Sequence, residues 1–176
     1  MIIKHGTWKN LFLLCGGLFL GTAFCMKWME KDFLFEGRLF TIVGLEAIYP
    51  REKLSAILGG IEDPVRDILR YHLYFDFAFM AGVYPGIAAL CMMAAHRCSS
   101  SKWKRVLGGL AIAQTLAWAC DIAENVYLLR WIDEPAQVSA VGRFHLIVMI
   151  KWGLALLAAA LAIPLNLFRK PPAARS

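Results

Sequence analysis

At 176 residues, with 59% hydrophobic and only 18% charged side chains and a mean hydropathy of +0.55, the chain is one unit whose apolar residues come in blocks instead of at amphipathic spacing. That excludes an ordinary soluble domain. The net charge of +6 calls for no nucleic-acid partner, because the excess lies at the edges of the apolar blocks, where anionic headgroups of membrane lipids attract it. Four blocks, about 8–26, 72–95, 106–129 and 144–168, are long enough to cross roughly 30 Å of hydrocarbon at about 1.5 Å per residue. The expected fold is all-α: one four-helix transmembrane bundle over residues 1–176.

The first block follows Lys4 and Lys9 and runs from Trp8 to Met26. Gly21-Thr22-Ala23 could end a cleaved signal peptide. The apolar run continues through Phe24, Cys25 and Met26, which favours a retained helix. Gly17 and Gly21 form a small-xxx-small step suited to close helix packing.

The separator from 27 to 70 holds seven Lys/Arg and eight Asp/Glu. Its middle, about 33–60, is expected to be an amphipathic helical segment along the outer face. Phe33, Phe35, Leu39, Phe40, Val43 and Ile48 turn to lipid or onto the bundle. Pro50 ends its first half, and Arg51 to Leu58 can form a short helix before Gly59-Gly60. The segment is either simply packed or a lid over a lipid-accessible site.

Asp63 as N-cap and Pro64 as first helical residue start the second spanning helix. It descends through Arg66, Arg70, His72 and Asp76 to Pro85, where a kink would open space beneath Asp76. The segments at the other membrane face hold Lys4, Lys9, Arg97, Lys102, Lys104, Arg105, Arg169, Lys170 and Arg175 and none of the thirteen acids. The positive-inside rule therefore expects both termini in the cytoplasm of a bacterial inner membrane.

The third helix carries Asp121, Glu124 and Asn125 at i, i+3 and i+4 on one face, with Gln114 two turns below. On the fourth, His145 lies near the rim and Lys151 about 10 Å below Phe144, while Glu124 and Asp121 lie roughly 8 and 12 Å below Leu129. Asp76, Asp121, Glu124 and Lys151 should thus meet in the outer half of the bilayer. Three carboxylates against one ammonium leave two that are expected to be neutralised by protonation, unless Arg70, a histidine or a bound cation compensates.

An ionisable group at membrane depth is a candidate functional site. His72, Asp76, Gln114, Asp121, Glu124, Asn125, His145 and Lys151 form the candidate ligand-binding set. One reading is a structural polar network in which Lys151 bridges carboxylates. Another is a pocket for a lipid or amphiphile, with its head on Asp76, Glu124, Asn125 and Lys151 and its tail among Phe75, Phe79, Trp118 and Trp152. A third is a membrane-embedded hydrolase using two of Asp76, Asp121 and Glu124 as catalytic acid and base. A fourth is proton-coupled transport, which would require an oligomer; the oligomeric state is left open.

No cofactor is implied. The carboxylates lack the Glu-x-x-His pairs of helical di-iron sites, Tyr127 standing three residues after Glu124, so no metal is expected. Cys15, Cys25, Cys91, Cys98 and Cys120 form no C-x-x-C, which argues against disulfide exchange.

Phe75-Asp76-Phe77 with Tyr84, then Asp121-Ile122-Ala123-Glu124-Asn125 and a lysine in the last helix, resemble a set of small bacterial four-helix membrane proteins that bring no established activity with them. The acidic pair near the outer face is also similar in architecture to the lipoprotein signal peptidases. Their aspartate motifs are absent here, Asp121 being followed by Ile122-Ala123 and Asp76 flanked by phenylalanines, so the likeness carries no catalytic assignment.

Below Lys151, Ala155, Ala158, Ala159 and Ala162 offer small packing surfaces. Pro164 should loosen the inner end before Arg169 and Lys170 anchor it, with Pro171 to Ser176 a short disordered tail.

Overall fold

A computed structural model describes residues 5–168. Lys4, Arg169, Lys170, Arg175 and the tail Pro171 to Ser176 lie outside them. Among the described residues four helices are long and apolar enough to cross a membrane: α1 (His5–Met29), α3 (Asp63–Arg97), α4 (Ser101–Asp133) and α5 (Val141–Phe168). A shorter α2 (Arg51–Gly60) lies in the connection between α1 and α3. The extensive helix contacts are α1 with α3, α3 with α4 and α5, and α4 with α5. The first helix is therefore held chiefly by one neighbour.

The close approach of α1 to α3 depends on a glycine that is not one of the expected pair. A Cβ at Gly82 would stand 2.8 Å from the backbone nitrogen of Phe19 and 3.0 Å from the carbonyl oxygen of Cys15, so only glycine lets the two backbones meet there. Gly17 and Gly21 are exposed and a Cβ on either would meet nothing within 4 Å. The small-residue step thus sits on α3, and the glycines of α1 face outward.

Proline 85 is accommodated without ending α3. A proline cannot donate to the carbonyl four residues earlier, here Ala81. The thiol of Cys15 on α1 approaches that oxygen at 4.0 Å as a weak donor. At the C-terminal end of α5, Pro164 does not break the helix, which runs on to Phe168. Asn166 Nδ2 donates to Leu90 and Ala162 carbonyls at 2.9 Å each, and Arg97 Nη1 donates to the Asn166 carbonyl at 2.8 Å. Ala158 and Ala162 pack with Cys91, Ala94 and Leu107 in a closely fitted inner core.

The connection between α1 and α3 is a folded cap over the other end of the bundle, and its first half is not helical throughout. Leu34–Phe35 (β1) and Arg38–Leu39 (β2) pair as a tight antiparallel hairpin. Its two turn residues, Glu36 and Gly37, both take positive φ, at 49° and 72°, which gives the twist a two-residue turn needs. A π-helical turn, Gly44–Ile48, follows before α2. Of the apolar residues expected on lipid or bundle, Phe33 and Phe40 are buried and stacked on each other, whereas Leu39, Val43 and Ile48 are exposed.

Phe33, Leu45, Leu54, Leu58 and Ile61 of the cap share one core with Leu69 and Leu73 of α3, Leu128 and Ile132 of α4, and Phe144 and Val148 of α5. Arg51 Nε and Ser55 Oγ bind carbonyls of Val138 and Pro135, tying the cap to the α4–α5 connection, and Arg66 Nη1 of α3 binds the Ile132 carbonyl near the end of α4. One boundary shifts by a residue: Glu62 occupies the N-cap of α3, leaving Asp63 at the first helical position, where it pairs with Arg66 at 3.8 Å.

Candidate functional site

The polar residues of α4 share one buried face because Gln114, Asp121, Glu124, Asn125 and Leu128 recur at helical spacing. On α5 the buried face is Phe144, Val148 and Lys151, at i, i+4 and i+7. Packing α4 against α5 therefore brings Lys151 onto the acids. Its Nζ lies 2.9 Å from Asp121 Oδ1 and 2.7 Å from Glu124 Oε2.

A third carboxylate comes from the cap: Glu46 Oε2 is 3.6 Å from Lys151 Nζ. An ammonium has three donors, and here three carboxylates surround it. Glu46 was invisible to reasoning about spans because it belongs to none. Its only signal is local, an acid set among Leu45, Ala47 and Ile48. Thr41 Oγ1 accepts from the Gly44 backbone N–H at 3.0 Å, and the ring of Tyr49 fills the space where a Cβ of Gly44 would stand; both fix the turn that carries Glu46 inward. Burial pushes the Glu46 carboxyl above the usual carboxylate range, against the opposing pull of Lys151.

Asp121 is held from two sides. Its Oδ1 takes Lys151, and its Oδ2 accepts from the Tyr84 hydroxyl at 2.7 Å. Tyr84 in turn stacks on Trp118, with ring centroids 6.4 Å apart. Asn125 links this group to α3: its Nδ2 donates to Asp76 Oδ2 at 2.7 Å and to the Leu73 carbonyl at 3.4 Å. Asp76 makes no ion pair with any described residue. Glu124 is fully buried.

Four expected contributors lie elsewhere. His72 is buried against Phe33, 5.3 Å ring to ring, and its Nε2 is 4.0 Å from Glu30 Oε1, so it faces the α1–cap junction and not Asp76. Residue 72 is four residues before Asp76, yet the cap inserts Phe33 beside it. Gln114 lies below the acids and spans α4 and α5 by donating to the Leu110 and Leu154 carbonyls. His145 takes no part in the ion pairs or hydrogen bonds of the cluster; its ring packs by Phe144, because the buried stripe of α5 runs through 144, 148 and 151. Arg70 does not compensate the acids: at the rim it binds Asp67 at 3.0 Å and Asp133 at 2.6 Å.

Beside the cluster is a cavity of about 370 Å³. Its polar end is formed by Glu46, Asp76, Tyr84, Asp121 and Lys151. From there it runs along α3 through Phe79 and Val83 to Ile87, about 16 Å at helical rise. Phe19 and Met26 of α1 form one wall and Trp152, Ala155, Leu156 and Ala159 of α5 the other. Val43, Trp152 and Leu156 are exposed on the outside of the bundle, so the space opens sideways between α1 and α5. Those two helices are not in extensive contact.

Of the expected tail-lining aromatics, Phe79 and Trp152 do line it. Trp118 lies behind Tyr84, and Phe75 faces a separate shallow groove with Phe24 and Trp28. Glu124 and Asn125 stand behind the polar end and hold Lys151 and Asp76 in place. Among the described residues no group of three or more His, Cys, Asp or Glu could hold a metal ion.

No known protein family, curated protein or solved structure matches this chain.

Proposed function

We propose that this multi-pass membrane protein binds a lipid or other amphiphile in the cleft between α1 and α5. The head group rests at Asp76, Asp121, Lys151 and Glu46 and the chain lies along Phe79, Val83, Trp152 and Leu156. The observation that carries this reading is the continuity of one cavity: charged at one end, apolar for the rest and open to the side. A purely structural network would need no such space, whereas a ligand site is a concave, mostly apolar hollow with a few convergent polar groups. The cap then acts as a lid, since Ile42, Val43 and Glu46 cover the polar end.

The basic residues Lys9, Arg97, Lys102, Lys104 and Arg105 cluster at the opposite end of the helices. They support a bacterial inner-membrane orientation with both termini cytoplasmic and the cleft in the outer leaflet. A photoactivatable single-chain amphiphile should label the wall residues Phe79 and Trp152. Narrowing the cleft with Ala159→Phe should suppress that labelling. Labelling spread evenly over the exposed faces of all four helices, unaffected by Ala159→Phe, would sink the proposal.

A second reading, an acid/base hydrolase acting on a lipid or lipidated substrate, is favoured by one observation: Asp76 and Asp121 face the same cavity from different helices. One carboxylate would activate a water while the other protonates the leaving group. Turnover of a lipid ester or lipidated peptide by the folded wild type, abolished by Asp76→Asn and by Asp121→Asn, is the expected result. Turnover that persists in both variants removes it.

A further inference from the structure

Building on the cleft reading, we infer that the preferred occupant is a single-chain amphiphile with a positively charged amine head, and that Asp76 is the group that receives it. Four carboxyls, Glu46, Asp76, Asp121 and Glu124, converge with one ammonium, and that ammonium is already shared by three of them at 3.6, 2.9 and 2.7 Å. The fourth, Asp76, has among the described residues only a neutral donor, the Asn125 amide at 2.7 Å, and it lies on the cavity wall. Arg70, the nearest cation along α3 on the side of the cap, is engaged at the rim by Asp67 and Asp133.

An incoming ammonium would therefore meet an acid without a counter-ion, in surroundings where charge interactions are weakly screened. Phe79 and Trp152 line its way in, the Trp152 ring already lying 5.3 Å from Lys151 Nζ. A phosphate or carboxylate head would meet three acids on the cavity wall, with the only cation there among the described residues, Lys151, already committed. The size of the cavity, near the lower end of the range for small-molecule sites, suits one aliphatic chain better than two.

The test uses the full chain in nanodiscs of neutral lipid, with bromine-labelled alkyl chains of equal length carrying an amine, an alcohol or a carboxylate. Quenching of tryptophan fluorescence is read in the wild type and in a Trp152→Phe control. The amine should bind about tenfold more tightly than the alcohol, with the carboxylate weakest. Asp76→Asn should erase the preference for the amine, while Asp76→Glu should keep it. Equal affinity for the three heads, or an amine preference that survives Asp76→Asn, overturns the head-group inference and leaves the cleft standing. No saturable quenching by any of the three overturns the cleft reading itself, and this inference with it.

Discussion

Glu46 Oε2 lies 3.6 Å from Lys151 Nζ, so the cap shares with α4 the ammonium that α5 supplies. Burial raises the Glu46 carboxyl above its ordinary range, with Lys151 pulling the other way and Asp121 adding to the rise. A carboxyl with a raised value in the folded protein contributes stability that is complete below its unfolded value, about 4.3. That contribution is lost as pH rises through the folded value. Glu46→Gln keeps a neutral group in place and should remove this loss. Thermal unfolding in detergent should show Tm declining with rising pH more steeply in the wild type than in Glu46→Gln. Because Lys151, Asp121 and Glu124 also face Glu46, the difference between the two slopes is the informative quantity, and identical slopes contradict the assignment.

Replacing Lys151 with methionine strands Asp121, Glu124 and Glu46 without their common partner. Removing one member of a buried ion pair costs about 3–5 kcal/mol. Lys151→Met should therefore lower Tm markedly, and the triple variant Lys151→Met, Asp121→Asn, Glu124→Gln should recover much of the loss. An unchanged Tm in the single variant would show that the cluster is not buried as described.

The hydroxyl of Tyr84 donates to an Asp121 oxygen that Lys151 does not use. Tyr84→Phe keeps the ring against Trp118 and deletes only that bond. A hydrogen bond to a charged group is worth about 1.5–3 kcal/mol, so a loss of that order is expected in chemical denaturation. A stability equal to wild type would mean that the bond is not formed.

Gly82 allows α1 to reach α3. Gly82→Leu should push the helices apart, at the roughly 1–3 kcal/mol typical of overpacking, and expose Cys15, which is 4% exposed in the folded chain. In a background where the other four cysteines are serine, a membrane-permeant maleimide should label Cys15 faster in Gly82→Leu than in the parent. Gly17→Ala and Gly21→Ala, whose added Cβ atoms meet nothing, should leave labelling unchanged. Equal protection of Cys15 in Gly82→Leu and its parent would refute this packing.

Much was legible without coordinates. The length and hydropathy of four blocks required four spanning helices, since no other arrangement of so apolar a chain satisfies its backbone within lipid. The spacing of Asp121, Glu124 and Asn125 put them on one face, and counting residues at a fixed rise put Lys151 at their level. Helical periodicity and depth are properties of a single helix, and each can be counted along the chain.

What the tertiary structure alone decided is which neighbour each face meets. Periodicity is silent on rotation between helices and on a connection that folds back, so Glu46 joined the cluster and His72 and His145 went elsewhere. The same holds for α1: its glycines looked like the contact, but the interface uses Gly82 because the surface that can approach most closely belongs to α3. The cleft between α1 and α5 exists because α1 leans on α3. A gap between two helices is a property of their relative placement, which long-range packing sets.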